Sequence, residues 1–343
     1  MTRSKIFKIL FIILLAAIAG FSYAAYLFLM PNVTLKTDKE QYLLIRENTS
    51  FDEVMNQLQQ KAELKSIATF KQAAKYLKYN NVRSGRYKIE NGVNNLTLIR
   101  NLRNGNQTPV KLTFNNIRTK EQLAGRLAAQ LMPDSAGILN LLNDEVFLAR
   151  FNLNPYTSVS AFIPDTYEVF WNMSATRLFE RMYKEYEKFW TDERKQKAAA
   201  IPMSQAEVST LASIVDSETN AKAEKPVVAG LYINRLRKNM PLQADPTIKF
   251  ALQDFGLRRI TNENLKVDSP YNTYINTGLP PGPIRIPSKK GIDSVLNYTK
   301  HNYIYMCAKE DFSGTHNFAS NYADHMANAR KYWKALNERK IFK

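Results

Sequence analysis

Ser204–Thr219 reads S-Q-A-E-V-S-T-L-A-S-I-V-D-S-E-T. Ser204 followed three residues later by Glu207 is a capping box, the local signature of a helix start. Val208, Leu211, Ala212 and Val215 then recur at helical spacing, which predicts a helix with one face in a core. One turn further, that face reaches Glu218, at i+3 from Val215, i+4 from Ile214 and i+7 from Leu211. A carboxyl on the buried side, near the negative end of a helix dipole, has its pKa raised by both influences, as a general acid requires. An ion pair between Glu218 and Arg235 is the alternative that spacing leaves open. Asp216 is two residues earlier, about 200° round the helix, and is expected on the opposite, more solvated side.

Downstream of this helix lie three stiff, loop-like stretches: Leu242–Thr247 (LQADPT), Ser269–Tyr274 (SPYNTY) and Gly278–Ile284 (GLPPGPI). Their amide, hydroxyl and phenol groups suit a cleft for sugar rings, and equally suit ordered surface turns. Upstream, one long amphipathic helix is expected over Thr176–Ala200. Its aromatic stripe (Phe179, Met182, Tyr183, Tyr186, Phe189, Trp190) reads as core packing. Nearer the N-terminus, a short strand followed by a capped helix is expected three times. The strands are Tyr42–Ile45, Gly85–Ile89 and Val110–Phe114, and the helices begin near Ser50, Leu98 and Thr119. A further helical stripe runs through Phe70, Ala73, Ala74 and Leu77. Residues 31–40 read as a short polar linker. The fold class expected is α+β.

From Ile9 to Met30 the chain carries no charge, and Arg3, Lys5 and Lys8 precede this run. Twenty-two helical residues span about 33 Å, against roughly 30 Å of bilayer hydrocarbon. Basic residues before the run and Tyr23, Tyr26 and Phe28 near its far end predict a single-pass anchor. The N-terminus would be cytoplasmic and the remainder extracytoplasmic. Ala17-Ile18-Ala19 could be read as a cleavage site. The apolar run continues eleven residues past it, which favours an uncleaved anchor.

The net charge of +17 and pI near 9.7 call for a polyanionic surroundings: nucleic acid, an anionic membrane surface, or cell-wall polymer bearing lactyl and peptide carboxylates. No nucleic-acid signature occurs and the basic residues are scattered, so a nucleic-acid partner is not expected. Cys307 is the only cysteine, which rules out an intrachain disulfide and a cysteine-clustered zinc site. His301, His316 and His325 lack metal-ligand spacing, so neither metal nor cofactor is expected. G-x-S-x-G, P-loop and dinucleotide fingerprints are absent.

Phe162–Tyr167 (FIPDTY), Ala212–Thr219 (ASIVDSET), Ile233–Leu236 (INRL), LQADPT, Tyr271–Tyr274 (YNTY), GLPPGPI and Thr315–Phe318 (THNF) are co-linear. In order and spacing the chain resembles the YceG-like endolytic murein transglycosylases. It departs from their pattern at Val159-Ser160 and over His301–Ala308. The resemblance implies an anchor at 1–30, a linker at 31–40, a LysM-like subdomain at 41–108 and a catalytic domain at 109–343. It implies Glu218 as the single catalytic acid/base, with Gln243, Asp245, Tyr271, Asn272, Thr273 and His316 binding substrate. It further implies cleavage within peptidoglycan glycan strands to 1,6-anhydro-muramic ends, and cell-wall synthases as partners. A noncatalytic, membrane-anchored wall-binding scaffold is the second reading.

Overall fold

A 26-residue helix, α1 (Arg3–Phe28), opens the structure. The computed structural model describes residues 3–257 and 259–339, and the chain divides into two units. The first holds residues 1–112, 130–132 and 167–173; the second holds 113–129, 133–166 and 174–343. Helix α1 is long and apolar enough to cross a membrane and its apolar window is not buried, so it fits a single-pass anchor. Its last turn is different. Leu27 is sealed into the core of the first unit, and Asn95 Nδ2 donates to the Leu27 carbonyl at 2.9 Å.

In the first unit β1 (Val33–Leu35) pairs antiparallel with β3 (Ala62–Leu64), and β2 (Gln41–Ile45) with β4 (Gly85–Ile89). The stretch read as a linker therefore contains a strand. Helices α2 (Phe51–Lys61), α3 (Ile67–Tyr76) and α4 (Asn95–Asn104) follow β2, β3 and β4 in turn. Each has a side-chain cap: Ser50, Ser66 and Asn94 accept from the backbone N–H three residues on. Glu53 returns the bond to Ser50, which completes the expected box. Gly105, at φ +74°, closes α4 in the left-handed region that glycine enters without strain. With α3 included, the strand-then-capped-helix unit recurs more often than its pattern predicts. Leu43, Ile45, Val54, Leu58, Phe70, Ile99 and Leu102 make the core. Strand β5 (Val110–Thr113) pairs with β6 (Thr166–Val169).

The second unit is mainly helical: α5 (Lys120–Ala128), α6 (Ser135–Leu141), α7 (Glu145–Ala149), α8 (Ala175–Phe189), α9 (Asp192–Ala200), α10 (Gln205–Glu218), α11 (Lys225–Arg237), α12 (Asp245–Ala251), α13 (Lys289–Leu296) and α14 (Tyr322–Glu338). A hairpin of β7 (Tyr305–Ala308) and β8 (His316–Ala319) packs on α14. The fold is thus mixed α+β. The long helix expected over Thr176–Ala200 is two helices. Trp190 leaves helical dihedrals, and Thr191 accepts from Arg194 N to cap α9, with Asp192 and Glu193 in its first turn. The aromatic stripe packs as expected, with Phe179, Met182, Tyr186 and Trp190 all buried.

Helix α10 is central, with α11, α12 and α13 packed around it. Leu211, Ile214 and Val215 are wholly excluded from solvent, each stabilising by about 1.5–3 kcal/mol. Its polar residues are buried too, which amphipathic spacing does not anticipate. Ser209, Thr210 and Ser213 satisfy their hydroxyls on carbonyls of their own helix, at 2.9, 2.9 and 2.7 Å. Ser213 also accepts from Ile284 N at 3.0 Å, which pins the proline-rich loop against the helix.

Candidate active site

Helix α10 runs unbroken to Glu218, and there the buried face opens. Glu218 is half-buried at the edge of a cleft of about 400 Å³, shared with Tyr232, Gln243, Asp245, Tyr274 and His316 among others. Desolvation pushes the Glu218 carboxyl from 4.5 up to about 7. A hydrogen bond from Tyr232 pulls it back, the nearby charge of Asp245 raises it, and Lys249 lowers it. A carboxyl that changes protonation near neutrality can both give and take a proton there. The alternative ion pair with Arg235 is not seen, since Arg235 donates to Gln243. Tyr232 on α11 takes that place, its hydroxyl donating to Glu218 Oε1 at 2.6 Å. Burial beside the carboxylate holds the Tyr232 phenol well above its ordinary pKa, so it stays a donor.

The second carboxylate in the cleft, Asp245, opens α12 and accepts from Tyr274 Oη at 2.5 Å. Each acid therefore carries one tyrosine. Arg235 turns to Gln243, donating from Nη2 to Oε1 at 2.5 Å. Gln243 itself stands at φ +51°, a left-handed conformation that non-glycine residues adopt only where their surroundings over-determine it. Its N–H donates to the Thr273 carbonyl at 2.9 Å. His316 on β8 is held by Glu224, which accepts from its backbone N at 2.7 Å and faces its Nδ1 at 3.0 Å. On the far wall His325 stacks on Tyr305 with ring centroids 5.1 Å apart. Burial, with Arg235 near, depresses its pKa. Two buried nitrogens of lining residues, Arg235 Nε and His325 Nδ1, have no hydrogen-bond partner among the described residues.

The sequence-predicted residues therefore separate. Glu218, Gln243, Asp245 and His316 line one cleft. Asn272 and Thr273 are buried behind it and are not among its lining residues. Asn272 is 0% exposed and donates to the carbonyls of Leu265 and Val267 at 2.9 and 2.8 Å. Thr273 meets Ala244 N and Thr247 Oγ1 at 3.1 and 2.8 Å. Both hold the loop that presents Gln243 and Tyr274. Tyr271 lines a different hollow, with Tyr156 and Phe250. Asp216 needs correction. It is 6% exposed, because α13 covers the helix face that spacing assigned to solvent. It accepts from Ser288 N at 2.6 Å and from Ser288 Oγ at 3.1 Å, and pairs with Lys225. A Cβ on Gly291 would run into its carboxylate, so that position in α13 suits glycine alone.

Sequence reasoning missed Tyr232, Tyr305 and His325. Tyr232 sits within an apolar helical stretch and carries no local signal. Tyr274 was within reach, since it ends the YNTY stretch.

Fold and cleft together define a mixed α+β protein with a single carboxyl poised near neutrality and a second held beside it. Comparison with known proteins names the class. The YceG-like family model matches residues 43–331, and the chain belongs to that family. Curated relatives named endolytic murein transglycosylase include one from Streptococcus pneumoniae strain R6, 26% identical over 370 residues, covering 96% of this chain. One from Bacillus subtilis strain 168 is 27% identical over 316 residues, covering 86% of this chain and 85% of that protein. The chain spans 65% of the length of the pneumococcal relatives. A crystal structure of a yceG-like protein from Listeria monocytogenes is similar at a TM-score of 0.56 and 26% identity. That match covers 85% of this chain and 99% of the other.

Proposed function

We propose that this protein is a membrane-anchored lytic transglycosylase that cuts peptidoglycan within its glycan strands, with Glu218 as the acid and base. The observation carrying the proposal is a carboxyl brought to about 7 by burial, donated to by Tyr232, at the edge of an open cleft. In the protonated form Glu218 gives its proton to the glycosidic oxygen between N-acetylmuramic acid and N-acetylglucosamine, and the C1–O bond breaks. As carboxylate, steadied by Tyr232, it takes the proton from the C6 hydroxyl of the same muramic acid. The C6 oxygen bonds to C1, leaving a 1,6-anhydro end, and Glu218 is protonated again. Atoms balance without water. Gln243 and His316 serve as cleft-wall contacts to the sugars.

One observation favours a second reading, hydrolysis: Asp245 lines the same cleft, and hydrolytic glycosidases use paired carboxylates. Mass spectrometry of strands digested in ¹⁸O-water distinguishes the two. Anhydro ends without label are expected, and labelled reducing ends would overturn the lyase. Glu218→Gln should lose about 10²–10⁴-fold in rate. Bound but uncut glycan with wild-type protein would instead favour the scaffold reading.

Helix α1 with its basic N-terminal flank supports an N-in, single-pass orientation, the rest extracytoplasmic. Residues 41–108 are assigned as a LysM-like module, supported by their strand-and-capped-helix order, and 109–343 as catalytic. Cell-wall synthases would be the partners.

A further inference from the structure

Beside the cleft, on the other flank of the paired ends of α10 and α12, lies a smaller hollow of about 200 Å³. Arg118, Lys249 and Arg285 converge on it from three separate segments, together with Ser217 and Asn220. Among the described residues none of the three cations has a carboxylate within ion-pair distance. Asp216 is the one acid in the wall, and its oxygens are taken by Lys225 and Ser288. Arg285 donates from Nη2 to Asn116 Oδ1 at 2.6 Å, while its Nε is buried without an acceptor. Arg118 lies over the Phe255 ring, 5.0 Å from its centroid. Burial depresses the Arg285 pKa, the nearby charge of Asp216 partly offsets this, and the like charge of Arg118 adds to the depression.

We propose that Arg118, Lys249 and Arg285 form a carboxylate-binding subsite that takes an acidic group on the peptide branch of the glycan. The proposal rests on the reading of the main cleft as a peptidoglycan-cutting site. Chain adjacency links the two hollows. Ser217 in this wall precedes Glu218, and Lys249 stands on the helix that Asp245 opens. A branch leaving a sugar bound at Glu218 therefore has little distance to travel. Neutral hydroxyls give three converging cations nothing to neutralise, whereas a carboxylate accepts bidentately from a guanidinium. The hollow has room for a carboxylate on a short stem.

The test uses the full-length protein in detergent and two preparations of glycan strands, with peptides intact and with peptides enzymatically removed. Binding is measured in Glu218→Gln, so that chemistry does not enter. Glu218→Gln should bind peptide-bearing strands roughly tenfold or more tightly than bare strands, the scale of charge-assisted hydrogen bonds. Adding Arg285→Gln, or separately Arg118→Gln on a different segment, should bring the two affinities within about threefold. Arg285→Lys, which keeps the charge, should retain part of the preference. Equal affinity of Glu218→Gln for both preparations overturns the subsite, as does a preference that survives both glutamine variants. Failure of the cleavage reading shows separately, as continued cutting by Glu218→Gln.

Discussion

Replacing Tyr232 by phenylalanine should displace the alkaline limb of the pH–rate profile to higher pH. In the proposed mechanism Glu218 acts first as an acid, so the rate should fall as pH rises through its pKa of about 7. The Tyr232 hydroxyl, 2.6 Å away, stabilises the carboxylate in preference to the acid. Without it the acid form gains and the pKa rises. A hydrogen bond to a charged group contributes about 1.5–3 kcal/mol, and 1.36 kcal/mol is one pH unit. Water entering from the cleft restores part of the lost bond, which places the displacement near the lower end, about one unit. The midpoint should move from about 7 to about 8. At pH 6 both proteins are protonated, and the phenylalanine variant should keep more than about a tenth of the wild-type rate. The assay is initial-rate cleavage of soluble strands from pH 5 to 9. A midpoint that moves less than about 0.3 unit, or to lower pH, refutes the role given to Tyr232.

Asp245→Asn removes the charge that raises Glu218, so its limb should move the opposite way, below about 7; an upward move would mean that Asp245 acts otherwise. Asp216→Asn breaks a buried pair, and should cost about 3 kcal/mol and several degrees of Tm. A thermal melt within about 2 °C of wild type would contradict the burial argument. Glu218→Gln should be more stable than wild type at pH 8 but not at pH 4. Between 4.5 and about 7 the folded state keeps a proton that the unfolded state has lost, so wild-type stability falls as pH rises through that window. At 1.36 kcal/mol per unit the full difference is about 3 kcal/mol above pH 7. Urea titrations giving the same gap at both pH values would exclude it.

The fate of Glu218 and of Asp216 marks what was legible in the sequence. A capping box and a single stripe of apolar residues were enough to place helix α10, its start and Glu218 half-buried at its end. The same stripe misjudged Asp216, because periodicity reports one packed face and α10 is packed on all sides. Polar residues inside such a helix look solvated until their partners, here Ser288 and Lys225, are brought from distant segments. Asn272 and Thr273, buried beside the cleft and absent from its lining, show a related ambiguity. A short loop rich in hydrogen-bonding groups reads the same whether those groups face a ligand or the backbone they support. The break at Thr191 was readable, since Thr-Asp-Glu is a helix start, but the continuous aromatic stripe overrode it. Tyr232 was not readable, because its meaning lies in a hydroxyl that crosses to another helix.

The junction between α1 and the first unit has a mechanical consequence. Four residues separate Phe28 from β1, and they are not slack. Asn32 Nδ2 donates to Asn95 Oδ1 at 2.7 Å and to the Ser66 carbonyl at 3.0 Å, while Asn95 grips the last turn of α1 through Leu27. Tyr23 adds a bond to Gln72 at 2.8 Å. With α1 seated in a bilayer, the joint is a bracket and not a leash. The first unit then inherits the tilt and rotation of the helix, and cannot swing away from the lipid surface without breaking buried hydrogen bonds of the Asn32 and Asn95 amides. Its exploration becomes planar, by lateral drift, and under the proposed function strands lying close to the membrane would be met far more often than those deeper in the wall.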